Sequence, residues 1–390
     1  MARWKNWSGR QEAAPEALHF VRSQADAMAL VDRAQLDGKG IRVAGSGHSH
    51  SPLVASTDWI VDVSGLAGVT DVDHENRTAW IYAGTPIFSL GRSLHDAGLA
   101  LHNQGDIDRQ TLSGACATGT HGTGRKLGNM SSAVLAVEVI TGKGECVICS
   151  ADHEPELFAV ARLGLGAAGI ITRLQLQLRD SYKLKENGRD IALPDLLLQL
   201  PDLVDSHDRF EFFWHPQSDQ ATVKLTDETT DSPEYPLAEE GRRCAWNYEV
   251  LPSHRPHLHT EMEYSVPEAL GPACFSELRQ MIQTDFSDLR WPVEYRMLAQ
   301  DSIWLSTACE RPTITISVHE DIRLDDSVYF AACERIFLRY QGRPHWGKVN
   351  YLTEADFRSS YSHWPDWWRV RDQFDPDEVF VNDYLASIRP

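Results

Sequence analysis

The sequence has few basic residues for its length. Lys and Arg number 37 against 56 Asp and Glu, which leaves a formal net charge of −19 at pH 7. Nucleic acids and anionic membranes bind through basic patches, so this balance argues against both as partners. Small molecules remain as the expected ligands.

Long apolar stretches are also missing. Residues 1–7 lack the apolar core of a signal peptide, and no later window approaches the roughly 20 apolar residues that a membrane span requires. We therefore expect a cytoplasmic protein without a membrane anchor. Seven cysteines, an odd number, favour reduced thiols. Cys146 and Cys149 face opposite sides of a predicted strand, and we expect no metal site.

Two familiar nucleotide-binding patterns are absent. No G-x-G-x-x-G opens a predicted helix with an acidic residue about 20 positions later, and no G-x-x-x-x-G-K-[ST] occurs. Two other glycine-rich runs are present instead, Gly45–Ser49 after a short apolar strand and Ser113–Gly124. Glycines let backbone N–H groups approach an anion, so each run predicts a loop that holds a nucleotide diphosphate.

The length of 390 residues predicts more than one domain, and the pattern of predicted elements changes near residue 180. Before that point short strands alternate with helices. One helix is predicted over residues 17–36, and another begins where Thr85 is the N-cap and Pro86 the first helical residue. We predict an α+β fold with domains at 1–178 and 179–350, and a segment 351–390 that returns to the first domain.

The two glycine runs, in this order and spacing, resemble the FAD domain of the vanillyl-alcohol-oxidase type, also called the PCMH type. Two further motifs are similar to its sugar-oxidising branch, the aldonolactone and alditol oxidases: VEYR at 293–296 and GRPHWGK at 342–348. The resemblance implies a PCMH-type FAD-binding domain and a substrate-binding cap domain. The implied cap contains an antiparallel sheet flanked by helices.

The same resemblance implies FAD bonded covalently through its 8α carbon to His48. A neutral imidazole nitrogen is a competent nucleophile for that bond. A second bond to Cys116 is not expected, because its flanking residues differ from those of doubly linked relatives. The residues implied to bind the cofactor are Gly45, Ser46, Gly47, His48, Ser49, Ser113, Gly114, Thr118, His121, Gly122, Gly124, Ile171, His345 and Asn382.

The implied catalytic residues are Glu294, Arg296 and Lys348. Glu294 and Arg296 lie two apart on a predicted strand and so share a face. With Lys348 they are implied to orient a substrate hydroxyl while hydride passes from its carbon to flavin N5, with Glu294 as the expected proton acceptor. The expected substrate is a polyhydroxylated, carbohydrate-like molecule such as an alditol, an aldonolactone or an amino sugar.

The expected electron acceptor is oxygen, reduced to hydrogen peroxide, because Gly105 stands where a small residue tracks with oxygen access in the family. One alternative is a dehydrogenase that uses a quinone or a cytochrome. Another, of a different class, is a non-catalytic nucleotide-binding protein that kept the fold.

The substrate lining departs from the alditol oxidases. Asp106 replaces their serine, Thr315 and Ser317 replace a histidine and a threonine, and His319 shares the face of those two residues. All four are expected to contact substrate. The Asp106 carboxylate suits extra hydroxyls or an ammonium group; the alternative is that it caps its own loop through backbone N–H groups.

Overall fold

The chain begins with a short antiparallel pair, formed by its first two strands, which precedes a small parallel sheet. The elements of this part, in the computed structural model that describes residues 2–253 and 255–390, are β1 (Trp4–Lys5), β2 (Glu12–Ala13), β3 (Ala17–Phe20), α1 (Gln24–Asp37), β4 (Ile41–Ala44) and β5 (Trp59–Asp62). The parallel sheet has the order β3-β5-β4, and α1 packs its buried residues Ala27, Val31 and Ala34 into the core beside it.

The helix predicted over residues 17–36 is wrong in its first part. Residues Ala17–Phe20 form β3, whose backbone pairs with β5. Helix α1 begins only after Ser23, whose hydroxyl accepts a hydrogen bond from the N–H of Asp26 at 3.1 Å. The spacing of Leu18 and Val21 fits a helix, but the neighbouring strand outweighs this local pattern.

A five-stranded antiparallel sheet follows. The elements of this part are β6 (Val69–Asp73), β7 (Thr78–Tyr82), α2 (Ile87–Asp96), β8 (Leu99–Ala100), α3 (Leu112–Ala117), β9 (Val134–Ile140), β10 (Cys146–Ser150), α4 (Pro155–Ala161), β11 (Ile170–Gln177) and β12 (Arg179–Asp180). The sheet has the order β10-β9-β11-β7-β6, and β8 pairs separately with β12.

The predicted cap of α2 is also wrong. The Thr85 hydroxyl donates to the carbonyl of Tyr82 at 2.7 Å and accepts the N–H of Gly68 at 2.9 Å, so it serves the turn before the helix. Pro86 is the N-cap residue. Because the Thr85 hydroxyl bonds to backbone groups of the preceding turn, it does not cap the helix.

The second half of the chain contains an eight-stranded antiparallel sheet. Its elements are β13 (Lys183–Ala192), α5 (Leu193–Ser206), β14 (Arg209–His215), β15 (Gln220–Thr229), β16 (Cys244–Trp246), α6 (Asn247–Val250), β17 (His259–Pro267), α7 (Gly271–Asp285), β18 (Val293–Leu298), β19 (Thr313–Asp321), α8 (Ser327–Arg339) and β20 (Arg343–Pro344). The order is β16-β13-β15-β14-β18-β19-β17-β20. The predicted α+β class, with an antiparallel cap sheet, is confirmed.

Alternation along these strands gives the sheet one apolar and one polar face. On β18, Val293 and Tyr295 belong to a core to which α5, α7 and α8 also contribute. Glu294 and Arg296 point to the opposite side. They are only 5% and 7% exposed, because this polar face packs against the first half of the chain. The fold therefore buries a row of charged groups.

The C-terminal segment contains α9 (Glu354–Ser360), α10 (Trp364–Phe374) and α11 (Asp383–Ser387). Trp364 and Trp367 share a core with Leu157 of α4, so this segment packs on the first half of the chain. The domain boundaries at residues 178 and 350 stay predictions. Within the described residues, no helix combines the length and the apolar composition needed to cross a membrane.

Candidate active site

Two adjoining cavities lie where the glycine loops approach the polar face of the large sheet. The smaller one, of about 830 Å³, is lined by both glycine-rich loops and is called the loop cavity here. The larger one, of about 2220 Å³, is lined largely by the polar sheet face and is called the central cavity. His48, Ser49, Gln110 and Thr118 line both cavities, so the two meet at the histidine of the first loop.

The two glycine loops approach each other too closely for other residues. A Cβ on Gly45 would lie 2.2 Å from the Oγ1 of Thr111, and a Cβ on Gly114 would lie 3.0 Å from the same atom. This hydroxyl is buried and has no hydrogen-bond partner among the described residues. A close backbone approach beside an unpaired hydroxyl fits a ligand rich in acceptor oxygens, as FAD is.

Most of the predicted cofactor residues line these cavities. The loop cavity contains Gly45, Ser46, Gly47, His48, Ser49, Ser113, Gly114, Thr118 and Ile171, and the central cavity contains His121 and His345. Gly166 and Gly169 also line the loop cavity, although the sequence reasoning passed over them. They belong to a run, 164–169, that has the letters G-x-G-x-x-G but leads into strand β11 instead of a helix.

Two predicted cofactor residues, Gly122 and Gly124, contact protein backbone and line neither the loop cavity nor the central cavity. The N–H of Gly124 donates to the carbonyl of Met297 at 3.0 Å, which joins the second glycine loop to β18. A Cβ on Gly122 would lie 2.3 Å from the carbonyl oxygen of Gln104. Their glycines are explained by close packing, so the structure does not support direct contact with FAD.

Asn382 supports the loop cavity from outside. Its side-chain amide donates to the carbonyls of Pro52 at 3.0 Å and Ala55 at 2.8 Å. Leu53, inside this bonded segment, lines the loop cavity. Asn382 therefore holds the wall of the cavity and does not line it, which corrects its expected role as a cofactor ligand.

His48 is held as a neutral imidazole. Its ring stacks on Trp7 with 5.6 Å between ring centroids and 23° between planes. Burial, helped by the positive charges of Lys348 and Arg109, lowers the pKa of His48 to about 4. The His48 imidazole is thus neutral near neutral pH, which is the form that the implied flavin bond requires.

Cys116 is buried in the core of the first half of the chain, with 1% of its surface exposed. Burial raises the pKa of its thiol to about 12. The residues that line the two cavities do not include it. A protonated thiol in an apolar core supports the expectation that it forms no bond to flavin.

Glu294 and Arg296 form the centre of the polar sheet face. The Nη2 of Arg296 lies 3.2 Å from the Oε2 of Glu294 and donates to the Oε2 of Glu263 at 2.8 Å. Burial raises the pKa of Glu294 to about 8, and the nearby carboxylates of Asp106 and Glu211 outweigh part of the opposing effect of Arg296. Glu294 is therefore a carboxyl group that changes its charge just above neutral pH.

Lys348 follows β20 and reaches the same cavity. Its ammonium group contacts the Oε2 of Glu261, a residue of β17 that the sequence reasoning did not single out. Burial opposes ionisation of Glu261, but the charge of the Lys348 ammonium outweighs it and holds the pKa of Glu261 well below the usual value. Glu261 thus fixes the position of the predicted catalytic lysine.

Glu263, also on β17, links the two halves of the site. Its Oε1 accepts from the Nε2 of His121 at 2.8 Å, and its Oε2 accepts from Arg296 and from the hydroxyl of Ser317 at 2.7 Å. The Nδ1 of His121 faces the carbonyl oxygen of Gly122 at 2.8 Å. Both ring nitrogens of His121 therefore face oxygen atoms, and the ring is held between Gly122 and Glu263.

The predicted substrate residues divide into two groups. Asp106 and His319 line the central cavity, as does Gly105. Thr315 and Ser317 are 1% exposed and are not among the lining residues. Ser317 supports Glu263, and the hydroxyl of Thr315 has no partner among the described residues. The expectation that these two residues touch substrate is therefore not supported.

Asp106 bonds to an arginine of the protein itself. Its carboxylate accepts from the Nη2 of Arg255 at 3.0 Å. Burial opposes ionisation, but Lys224, Arg255 and Arg296 outweigh it and lower the pKa of Asp106 to about 2. Among the described residues no backbone N–H donates to this carboxylate, so their contacts do not support the loop-cap alternative.

Two family models match the chain. A model described as "FAD binding domain" matches residues 15–150, and one described as "D-arabinono-1,4-lactone oxidase" matches residues 238–388. An L-gulono-1,4-lactone dehydrogenase of Mycobacterium tuberculosis is 32% identical over 99% of this chain and 98% of that protein. The chain belongs to the aldonolactone oxidase family of FAD-linked oxidoreductases.

Other relatives agree with this aldonolactone-family assignment. The L-gulonolactone oxidase of Bos taurus is 25% identical over 99% of this chain and 98% of that protein. Among solved structures, a cholesterol oxidase from B. sterolicum has a TM-score of 0.88 at 15% identity and covers 100% of this chain and 96% of that one. The last likeness concerns the fold alone.

The sequence of this aldonolactone-family chain contains a pattern that indicates Glu261 and Glu263, which were not predicted as site residues. Strand β17 alternates polar His259, Glu261 and Glu263 with apolar residues such as Met262. Polar and charged residues with a period of two share one side of a strand and so indicate a polar face of the sheet. Arg255, in a loop, carries no such signal.

Proposed function

We propose that this protein oxidises a CH–OH group of a sugar lactone. The observation that carries the proposal is that Glu294, Arg296 and Lys348 line one cavity with His48, the predicted attachment point of FAD. When bound, FAD supplies the acceptor for the hydride that leaves the substrate carbon. A site with these groups serves alcohol oxidation better than simple nucleotide binding, for which a cavity of buried charges has no use.

In this proposal the three charged groups orient the substrate hydroxyls. Arg296 offers several donors in a rigid plane, and Glu263 holds that plane in position. Lys348 offers a compact positive charge that stabilises the alkoxide as it develops. Arg296 is held by Glu263 and Lys348 is held by Glu261, so little reorganisation of these two cations is needed when substrate arrives.

Glu294 accepts the hydroxyl proton. Its pKa of about 8 is close to neutral pH, which is the range in which a general base works efficiently. The group is active when ionised, and Arg296 beside it stabilises that form. The predicted role as proton acceptor is thus consistent with the environment of the carboxyl.

A neutral lactone suits the cavity better than an amino sugar. The ammonium group of an amino sugar would have to compete with Arg255 for Asp106. The related proteins are named for L-gulono-1,4-lactone, L-gulonolactone and D-arabinono-1,4-lactone. We therefore place aldono-1,4-lactones first, with alditols second.

The lysine is the first residue to test. We expect Lys348→Ala to retain bound flavin while lactone oxidation falls by about 100-fold or more, because the alkoxide loses its nearest cation. The measurements are flavin absorbance per polypeptide and the rate of lactone-dependent dye reduction. Lys39→Ala, which removes a surface lysine paired with Glu16, is the control. Equal rates for Lys348→Ala and the parent protein would contradict the role of Lys348.

Oxygen is the proposed acceptor, because Gly105, the small residue that tracks with oxygen access in the family, lines the central cavity. The second candidate, a dehydrogenase with another acceptor, is favoured by the name of the relative that is 32% identical. A Cβ at position 105 would lie 3.0 Å from the Thr120 methyl and 3.2 Å from the carbonyl oxygen of His121. An added methyl group therefore narrows this side of the cavity.

We expect the parent protein to form hydrogen peroxide with lactone, and Gly105→Ala to lower peroxide formation by about tenfold or more while dye reduction continues. Peroxide is measured under air, and dye reduction under nitrogen. If the parent protein reduces dyes rapidly but forms no peroxide, the dehydrogenase is correct.

The covalent bond at His48 can be tested without turnover. We expect the yellow colour to remain with the polypeptide after acid precipitation and denaturing electrophoresis. In His48→Ala the colour is expected to move to the supernatant. His50→Ala, two residues away, is expected to keep it. Complete extraction of flavin from the parent protein would rule out the bond.

A further inference from the structure

Three imidazoles surround one carboxylate on the outer wall of the central cavity. We call this group the His–Glu cluster: His50, His259, Glu261 and His319. The ligand atoms of His50, His259 and Glu261 all lie within 4.8 Å of one another. The Nε2 atoms of His259 and His319 each lie 3.7 Å from an oxygen of Glu261. The cluster joins the first glycine loop to strands β17 and β19.

Hydrogen bonds decide which ring nitrogens carry protons. The Nδ1 of His259 donates to the carbonyl of His257 at 2.9 Å, and the Nδ1 of His319 donates to the carbonyl of Pro292 at 2.9 Å. In the neutral rings the Nε2 atoms therefore hold lone pairs, and these face the carboxylate. A nitrogen lone pair that faces a carboxylate oxygen at 3.7 Å makes no favourable contact with it. A metal ion between the two atoms would bind both.

His50 offers a third imidazole nitrogen that could bind a metal ion. The side chain is 4% exposed, and its Nδ1 has no hydrogen-bond partner among the described residues. An imidazole nitrogen without a hydrogen-bond partner can bind a metal ion when its ring is neutral. The N–H of His50 donates to the carbonyl of Gly347 at 2.7 Å, which fixes the position of the residue.

We infer that the His–Glu cluster binds one divalent transition-metal ion of the Zn²⁺ kind. Imidazole and carboxylate are the ligands such ions prefer, and two His with one acidic residue make a common zinc set. Ligands at about 2.1 Å from a tetrahedral ion lie about 3.4 Å apart. The distances from Glu261 oxygens to the Nε2 atoms of His259 and His319, 3.7 Å each, are close to this value. Backbone carbonyls behind His259 and His319 orient both rings, as they do in established metal sites.

The site has a consequence for Lys348. Glu261 holds the Lys348 ammonium through Oε2, so an ion on Glu261 competes with that contact. Bound metal is therefore expected to inhibit oxidation by freeing the lysine from its position. This consequence rests on the proposed function, whereas metal binding itself does not.

The test uses purified holoprotein after dialysis against EDTA and then against metal-free buffer. Calorimetric titration with Zn²⁺ is expected to give one ion per chain. His50→Gln and His259→Gln are each expected to weaken binding by at least tenfold, which corresponds to about 1.4 kcal/mol. His207→Gln, which alters another imidazole–carboxylate pair, His207 with Asp227 at 2.7 Å, is the control and is expected to bind as the parent does.

A second measurement needs no variant. Cu²⁺ bound to the parent protein is expected to show an electron paramagnetic resonance spectrum with hyperfine splitting from at least two imidazole nitrogens. A spectrum without nitrogen splitting, or Zn²⁺ affinity that is the same in His50→Gln, His259→Gln and the parent, would overturn the metal site. Lactone oxidation is measured on the EDTA-treated protein before any metal is added, and this separates the two ideas. Oxidation there without later metal binding refutes only the site, and metal binding by a protein that shows no oxidation when metal-free supports the site while refuting the function.

Discussion

At the scale of single residues, the site depends on charged groups that are buried in pairs. A buried carboxylate without a partner would be costly, and here nearly every one faces an arginine, a lysine or a histidine. Glu294 differs from the others, because the charge of Arg296 offsets only part of the effect of burial on its pKa. Such incomplete compensation is a mark of functional carboxyl groups.

The pH dependence of lactone oxidation tests this environment. A base with a pKa of about 8 is protonated and inactive at low pH, so kcat/KM is expected to rise tenfold per pH unit below about 8 and to level off above it. Glu294→Gln is expected to lose this limb together with most of the rate. Glu334→Gln, which alters a buried carboxylate bonded to Tyr264 beneath the other face of the sheet, should keep it.

Glu263 is a positioning residue, and its substitution tests that role. Glu263→Gln keeps the shape but removes the charge that pairs with Arg296 and His121. We expect KM for lactone to rise by about tenfold or more, with a smaller effect on kcat, since Arg296 loses its fixed orientation. A fall in kcat alone, with KM unchanged, contradicts this reading. Glu334→Gln again controls for general loss of packing.

At the scale of elements, the glycine loops and strand β17 show different degrees of predictability. The loops were found from the sequence because their glycines lie close together along the chain and meet a local requirement, the approach of backbone to an anion. The polar face of β17 was missed although its alternation was visible, because period-two polarity predicts solvent exposure as readily as a buried site. Helix α1 and the cap of α2 were misjudged because neighbouring backbone competed with the local pattern.

Gly45 provides a prediction for the first loop. Gly45→Ala is expected to lower the flavin bound per polypeptide, because its Cβ would overlap the Oγ1 of Thr111. Overpacking of this kind costs about 1–3 kcal/mol. The ratio of flavin to protein absorbance measures the loss.

The double variant Gly45→Ala, Thr111→Ala removes the overlapping atom and is expected to restore part of the flavin content. Thr111→Ala alone gives the contribution of the hydroxyl. If the double variant is no better than Gly45→Ala, steric overlap with Thr111 is the wrong explanation.

At the scale of the whole molecule, the two halves and the C-terminal segment meet around the cavities. The second glycine loop bonds to β18, and the C-terminal Asn382 bonds to the segment that contains Leu53. Cofactor binding is therefore expected to depend on residues far from the cofactor.

Asn382→Asp tests this dependence. A carboxylate cannot donate to the carbonyls of Pro52 and Ala55, and each buried carbonyl left unpaired costs about 1–3 kcal/mol. We expect a lower urea midpoint and a lower flavin content. Asn76→Asp, at an exposed turn, is the control. Unchanged flavin content in Asn382→Asp would show that Leu53 is held by other contacts.

The sequence by itself determined the family, the glycine loops, the strand that carries Glu294 and Arg296, and the motif that contains Lys348. Each of these is a property of neighbouring residues, namely glycine spacing, period-two alternation or a short motif. Only the tertiary structure decided which charges pair. His121 and Glu263 are 142 residues apart, and Asp106 and Arg255 are 149 apart. Such partners depend on sheet register and on the packing of one half of the chain against the other, and no local pattern records either.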